Sequence, residues 1–157
     1  MGNNDNKVKV INITGWGRNG STLLGKILGE AKDSFYGGEI RNIWGRVLVE
    51  NRLCGCGSPI NECSLWKDIL NKAFNGIENI DIKKMISLSK KYDRVRYYPH
   101  IFSSNDKEFI RSKLNYYTSN HEKLFEAIKD VTNAKVIIDS SKSPFYGYLL
   151  THLQNID

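Results

Sequence analysis

The hydrophobic positions of the chain fall into two β-branched runs separated by helical periodicities. Residues 7–14 form the first run, which ends at a glycine, and their apolar positions do not strictly alternate. This pattern predicts a parallel strand at the centre of a sheet. Residues 134–138 form the second run and predict another buried strand, which ends in the polar segment Asp139–Lys142. Strands separated by helical segments predict an α/β fold with a parallel sheet.

Six further segments show helical spacing. The first begins at Ser21 and is expected to bury one stripe made of Leu23, Leu24, Ile27, Leu28 and Ala31. The others cover residues 40–48, 65–74, 82–86, 110–131 and 144–150. Asp81 and Ser143 are suited to cap two of them, and Pro144 stands at a favoured first helical position. Residues 93–104 predict a loop interrupted by Pro99.

The chain length fits one domain. It has 157 residues, against roughly 100–200 residues for a typical domain. No internal repeat or interdomain linker is evident, so residues 1–157 are expected to form one unit with a flexible tail at residues 1–7. A large helical, cysteine-containing insertion is expected at residues 51–104, between the first strand and the later one.

Composition and charge exclude several classes of protein. The 23 Lys and Arg against 17 Asp and Glu give a net charge of +6, which suits a protein that binds anions. The basic residues are scattered, however, which favours solvated helix faces over a nucleic-acid-binding stripe. No apolar run approaches the ~20 residues of a membrane span. No membrane span is therefore expected. No nucleic-acid partner is expected either, and nucleic-acid binding stays open as the minor alternative.

The three cysteines Cys54, Cys56 and Cys63 form a second compositional signal. Their odd number argues against a disulfide framework and for a reducing compartment, which predicts a cytoplasmic protein. Zinc usually takes four ligands, and His100 or His121 could complete such a set. His121 falls on the apolar stripe of the longest helix and is expected in the core instead. Reduced thiols without a metal are therefore the expectation.

The glycine-rich segment Gly15–Thr22 is the first candidate site. It matches the nucleotide phosphate-loop pattern G-x-x-x-x-G-K-[ST], except that Ser21 stands where the lysine is required. Glycines allow backbone N–H groups to turn inward, and the N-terminus of the following helix adds partial positive charge. Arg18 is the only cation inside the loop. The pattern therefore predicts anion binding.

Three motifs, in matching order, resemble segments of sulfotransferases that use 3′-phosphoadenosine 5′-phosphosulfate (PAPS). Gly17–Leu24 resembles the G-R-S-G-[ST]-T-L-L loop for the 5′-phosphosulfate, and Gly38–Arg41 resembles the G-E-x-R segment of the tyrosylprotein-type branch. Asp139–Pro144 resembles the D-S-S-K-x-P segment of many prokaryotic members. The cysteine stretch 54–63 also recurs in that bacterial subgroup. The resemblance covers about residues 8–150.

The resemblance implies a P-loop-type sheet and transfer of a sulfuryl group from PAPS to a hydroxyl, with no metal in the transfer step. Glu39 would be the general base, while Arg18 and Lys142 would stabilise the moving charge. The implied cofactor-binding residues are Gly17, Arg18, Asn19, Gly20, Ser21 and Thr22. The acceptor stays open: the hydroxyl of a small molecule, carbohydrate, lipid or protein.

Two other functions stay open as well. Val136–Asp139 also resembles the Walker B strand of a nucleotide or small-molecule kinase, although the missing loop lysine counts against phosphoryl transfer. A non-catalytic anion-binding module would keep the fold and bind adenosine 3′,5′-bisphosphate (PAP) without any transfer.

The family's 3′-phosphate contacts come from an R-D-P-R-like stretch, which the 157 residues lack. The resemblance therefore extends to the N-terminal half of a sulfotransferase only. It predicts a truncated or split chain that is inactive alone and needs a complementary C-terminal half or an oligomer partner.

Overall fold

Three parallel strands form the sheet, and the last of them in sequence lies in the middle. The computed structural model describes residues 7–102 and 106–157. The strands are β1 (Lys9–Thr14), β2 (Ser34–Gly38) and β3 (Val136–Lys142), in the order β1-β3-β2. The α/β class and the parallel sheet are thus confirmed.

The prediction that the first strand is central is wrong. β3 separates β1 from β2, and Ile11 of β1 is 46% exposed. The pattern missed β2 because it has only five residues and ends in Gly37 and Gly38, which have low strand propensity. β3 occupies the central position and buries Ile137 and Ile138. On its other side β1 meets the segment 155–157, where the Val10 N–H donates to the Asp157 carbonyl at 2.8 Å.

Helices make up most of the rest of the described chain. Their bounds are α1 (Ser21–Gly29), α2 (Ser64–Phe74), α3 (Ile82–Tyr92), α4 (Asp106–Lys113), α5 (Asn115–Thr132) and α6 (Pro144–Leu150). Residues 40–49 form a 3₁₀ turn followed by a π-helix. The expected single helix at 110–131 is divided at Leu114, whose φ of −122° interrupts the helical backbone. The expected loop at 93–104 contains a 3₁₀ helix, Val95–Phe102.

The main core lies between the sheet and helices α2, α3 and α5. α5 packs against both α2 and β3. The largest fully buried side chains of this core include Trp44, Phe125, Ile69, Met85, Leu124 and Ile128. His121 is 1% exposed, which confirms the expectation of a core histidine.

Helix α1 presents its apolar stripe to solvent, contrary to the sequence prediction. Leu23 is 65% exposed and Ile27 is 61% exposed. The cause is the contact of α1 with β2: a Cβ placed on Gly25 would come within 2.4 Å of the Tyr36 ring, and one on Gly29 within 2.6 Å of the Tyr36 Cβ. Since only glycines allow this approach, they face the sheet and the larger apolar residues face outward.

The predicted cap of α3 is present. The Asp81 side chain accepts a hydrogen bond from the Lys84 N–H at 2.9 Å. We expect Asp81→Ala to lower the free energy of unfolding by about 1 kcal/mol, because the N–H loses its partner. Urea unfolding would measure the change, with Asp68→Ala, an exposed position inside α2, as the control. Equal effects of the two substitutions would contradict the assignment.

Parts of two predicted regions cannot be compared with the structure. The expected tail at residues 1–7 lies outside the described residues except for Lys7, and so do residues 103–104 of the insertion. Within the described ranges, no helix combines the length and the apolar character needed to cross a membrane.

Candidate functional site

The carboxyl ends of the three strands bring the predicted site residues to one edge of the sheet. Thr14 pairs with Lys142, and Gly38 pairs with Asp139. The Gly15 N–H also points to the Lys142 carbonyl at 3.4 Å. This edge is where open parallel sheets bind ligands. The glycine loop, Glu39 and Lys142 therefore share one face of the molecule.

The glycine loop makes a tight turn into α1. Arg18 and Gly20 have φ values of 64° and 79°, in the left-handed region. The Asn19 Oδ1 accepts the Ser21 N–H at 3.1 Å, and a Cβ on Gly15 would collide with the Asn19 side chain at 2.2 Å. Gly20 is the N-cap of α1 and supplies no side-chain cap. The first N–H of α1 is thus taken by Asn19, whereas Gly20 offers no side-chain acceptor to the N–H groups that follow.

The side chains of this loop divide into exposed and buried groups. Gly17, Arg18, Asn19, Gly20 and Thr22 are exposed. Ser21 is only 3% exposed, and in the described part of the chain its Oγ has no hydrogen-bond partner. A buried hydroxyl without a partner carries a free-energy penalty. A phosphate oxygen bound in the loop would remove that penalty.

Glu39 and Lys142 form an ion pair across the sheet edge. The Lys142 Nζ lies 2.6 Å from the Glu39 Oε1, and the Asn42 Nδ2 lies 2.5 Å from the other carboxylate oxygen. Both members of the pair remain partly exposed, at 32% for Glu39 and 24% for Lys142. Lys142 has a φ of 61°, a conformation unfavourable for a residue with a Cβ. Such strain is concentrated at functional sites.

The electrostatic surroundings keep Glu39 ionised. Partial burial raises its pKa, but hydrogen bonds from Lys142 and Asn42 and the charges of Lys142 and Arg46 outweigh that effect. The net result is a pKa below the ordinary value of 4.5. Glu39 is therefore a carboxylate at neutral pH and can accept a proton.

Asp139 and Ser141 hold the backbone next to Glu39. Asp139 Oδ1 accepts the Ile40 N–H at 3.3 Å, and Ser141 Oγ accepts the Arg41 N–H at 3.0 Å. Burial raises the pKa of Asp139 to about 6, although hydrogen bonds from Ser141 and Ile40 oppose the shift. The sequence names Asp139 as a possible Walker B residue and as the start of the segment that resembles D-S-S-K-x-P, but it does not predict this positioning role. The sequence signal that could have indicated this role is the polar run Asp139–Lys142 directly after a buried strand.

A second set of contacts ties the insertion to the site. Arg41 forms an ion pair with Asp93, and Asp93 also accepts a hydrogen bond from the Ser143 hydroxyl. Ser143 in turn caps α6 by accepting the Tyr146 N–H at 3.1 Å. Neither Arg41 nor Asp93 was predicted as a site residue, because nothing in their local sequence links positions so far apart.

A cavity of about 640 Å³ opens beside Glu39. It lies between the β2–π-helix segment and the start of the insertion. Its lining includes Phe35, Glu39, Arg46, Arg52, Ile60 and Trp66. The volume falls within the range of pockets that hold small molecules. The Glu39 carboxylate is thus available to a ligand bound in this cavity.

The three cysteines also line this cavity. Cys63 Sγ lies 3.5 Å from Cys54 Sγ and 3.7 Å from Cys56 Sγ, and all three are free thiols. A hydrogen bond from the Ser58 backbone N–H, together with the neighbouring thiols, lowers the pKa of Cys56 to about 7. Of the histidines considered with them, His121 is in the core, and the side chain of His100 lies outside the described residues.

Comparisons of the chain with models of protein families, with curated proteins and with solved structures give no match.

Proposed function

We propose that the chain is a PAPS-dependent sulfotransferase with a P-loop-type sheet, acting on a hydroxyl acceptor. The observation that supports this proposal is the 2.6 Å contact between Glu39 and Lys142 at the sheet edge that carries the glycine loop. Sulfuryl transfer needs an anion cradle, a base and a cation near the moving charge. These three functions correspond to the loop, Glu39 and Lys142.

The glycine loop would bind the 5′-phosphate of PAPS. The N–H groups at the start of α1 and the dipole of that helix favour a bound anion. The orphaned Ser21 hydroxyl and the exposed Thr22 hydroxyl would donate to phosphate oxygens. Gly17, Asn19 and Gly20 shape the turn, and the exposed guanidinium of Arg18 would face the phosphosulfate bridge.

The transfer itself would be an in-line displacement at sulfur. Glu39 removes the proton of the acceptor hydroxyl while the acceptor oxygen forms its bond to sulfur. The bond between sulfur and the bridging oxygen of the 5′-phosphate breaks, and PAP leaves with that electron pair. Arg18 stabilises the negative charge that develops on the leaving phosphate.

Lys142 would act in two states of this cycle. Without cofactor, its ammonium pairs with the Glu39 carboxylate. When PAPS is bound, the sulfuryl oxygens compete for the ammonium, so Lys142 stabilises the transferred group and leaves Glu39 free to accept a proton. Asp139 and Ser141 keep the Glu39 backbone in place throughout. No metal has a part in this step.

The cavity beside Glu39 would admit the acceptor, which we assign only to the class of hydroxyl compounds. The family's 3′-phosphate contacts have no counterpart in the 157 residues. We assign them to a complementary segment or partner chain. The free thiols suit a reducing compartment, and we place the protein in the cytoplasm.

The kinase alternative receives less support from the geometry. Asp139, which would have to bind Mg²⁺, is fully buried and accepts hydrogen bonds from Ile40 and Ser141. A non-catalytic module would have no use for the strained Lys142 and its contact with Glu39. Neither alternative is therefore proposed.

PAP binding tests the proposal directly. We expect calorimetry to show PAP binding, and Arg18→Ala to weaken it by about 10- to 100-fold, because one charge-assisted hydrogen bond contributes roughly 1.5–3 kcal/mol. Lys32→Ala is the matched control, since it removes one exposed positive charge outside the loop. Tight binding of Mg²⁺·ATP without any affinity for PAP would contradict the proposal.

A further inference from the structure

Cys54, Cys56 and Cys63 form what we call the three-thiol cluster, which the proposed transfer reaction does not use. Their sulfur atoms all lie within 4.8 Å of one another. Cys63 Sγ lies 3.5 Å from Cys54 Sγ and 3.7 Å from Cys56 Sγ. Three thiols that converge in this way from two different elements are the characteristic ligands of a soft metal ion.

The local fold builds the cluster from a tight turn and a helix start. The Gly57 N–H donates to the Cys54 carbonyl at 2.9 Å, and the Cys54 N–H donates to the Ser58 carbonyl at 2.8 Å. Gly57 has a φ of 88°, which a glycine adopts without steric cost. Cys54 and Cys56 are thus two positions apart on one turn. Cys63 joins them as the N-cap of α2.

We propose that the three-thiol cluster binds one Zn²⁺ ion through three thiolates. Zinc–sulfur bonds are about 2.3 Å, so two sulfurs on a tetrahedral zinc lie roughly 3.8 Å apart. The separations of 3.5 and 3.7 Å are close to that value. These two pairs therefore reach zinc-binding geometry with sulfur shifts of a few tenths of an ångström, and the third pair, within 4.8 Å, needs a shift of at most about 1 Å.

A disulfide explains the same geometry less well. It would require a sulfur–sulfur distance near 2.05 Å, against the 3.5 Å that separates Cys54 and Cys63. A disulfide between two of the cysteines would also leave the third thiol in the cluster without a bonding partner. A single zinc ion uses all three sulfurs, and each thiol loses its proton to the solvent on binding.

The fourth coordination position would face the cavity. Among the described residues, the ligand group consists of these three cysteines only. All three line the same cavity as Glu39. Three protein ligands leave one tetrahedral position for a water molecule or another small ligand from the cavity. The site would also tie the turn to the start of α2 and so stabilise the cavity wall.

Metal titration of the full chain, stripped of metal and kept under a thiol-free reductant, tests this proposal. We expect one Zn²⁺ per chain in competition with a chromophoric chelator, with release of protons. Co²⁺ should show thiolate-to-metal charge-transfer absorption. Cys56→Ser is the informative variant because Cys56 is exposed and its replacement should leave the circular dichroism spectrum unchanged.

Loss of a group that only hydrogen-bonds to a metal ligand lowers metal affinity by about 10- to 100-fold. Cys56→Ser removes a ligand itself, so its zinc affinity should fall by at least that factor. Glu62→Gln is the control, since it removes a neighbouring carboxylate that is not part of the cluster. Zinc binding that is equal in the wild type and in Cys56→Ser would place the metal elsewhere and overturn the proposal. So would the absence of zinc binding under reducing conditions.

Discussion

Glu39→Gln should lower the rate of sulfuryl transfer by about 10²- to 10⁴-fold, the usual contribution of a general base. The amide keeps the size of the side chain and an oxygen for the Lys142 ammonium, but it cannot take up the acceptor proton. PAP affinity should change little, because Glu39 does not belong to the glycine loop. The measurement is transfer of ³⁵S from labelled PAPS to a panel of hydroxyl acceptors, made with the chain assembled with the segment or partner chain that supplies the 3′-phosphate contacts.

The pH dependence of the same assay gives a second readout. Since the pKa of Glu39 is lowered below 4.5, the wild type should show no loss of kcat/KM from Glu39 protonation between pH 6 and 8. Glu50→Gln is the matched control, because Glu50 is an exposed carboxylate paired with Arg52 near the cavity. If Glu39→Gln and Glu50→Gln transferred sulfate equally well, Glu39 would not be the base.

Asp139→Asn should make the stability of the protein much more sensitive to acid. Relative to the wild type, we expect the variant to lose about 2 kcal/mol of unfolding free energy between pH 6 and pH 4. His121→Gln should show the opposite change, a relative gain of about 2 kcal/mol over the same interval. The cause is that two buried groups in the wild type titrate with opposite effects on stability.

The sign of each effect follows from the protonation states. Asp139 has a pKa of about 6 in the folded protein against 3.8 for the free group, so the folded state binds more protons between those values and stability falls as the pH rises. Burial lowers the pKa of His121 from 6.5 to about 4, so stability falls as the pH drops through this range. A difference of one pKa unit between the folded and unfolded states changes the free energy of unfolding by up to about 1.4 kcal/mol.

The hydrogen bonds of His121 explain why it stays neutral. Trp44 Nε1–H donates to His121 Nε2 at 3.1 Å, so Nε2 is an acceptor and Nδ1–H is left to donate to the Tyr117 carbonyl at 2.9 Å. A proton on Nε2 would face the indole N–H. The imidazolium form would therefore lose a hydrogen bond in addition to its hydration.

Urea unfolding would test the predictions for Asp139→Asn and His121→Gln. The free energy of unfolding is measured for the wild type and both variants at several pH values between 4 and 7. The difference between variant and wild type at each pH removes the contributions of all other carboxylates. Asp68→Asn, which changes an exposed carboxylate of α2, serves as the control. A difference that stays constant over the whole range would show that neither buried group titrates as expected.

Local patterns predicted the elements of the fold better than their arrangement. The strand, glycine loop and helix of residues 7–31 were predicted because burial periodicity and turn residues are local signals. The caps Asp81 and Ser143 were predicted for the same reason. The burial of α1 was predicted wrongly, because the contact of Gly25 with Tyr36 depends on a strand that no periodicity revealed.

In the candidate site, too, local patterns predicted the individual residues but not how they come together. The motifs placed Arg18, Glu39 and Lys142 on separate segments, with chemistry that each residue type allows. Their meeting is a tertiary effect: Glu39 and Lys142 are 103 positions apart in sequence, and they meet because β3 inserts between β1 and β2. Strand order, and with it this pairing, depends on how the crossovers pack, which local patterns do not report.

The three cysteines also show which properties are local and which depend on the tertiary structure. Counting and spacing predicted reduced thiols and no disulfide framework, and left a metal site as the less favoured interpretation. The fold of the Gly57 turn and the start of α2 bring the three sulfur atoms within 4.8 Å of one another. Residue identity thus determines which reactions are available, whereas the distances that select among them arise only when separate elements pack together.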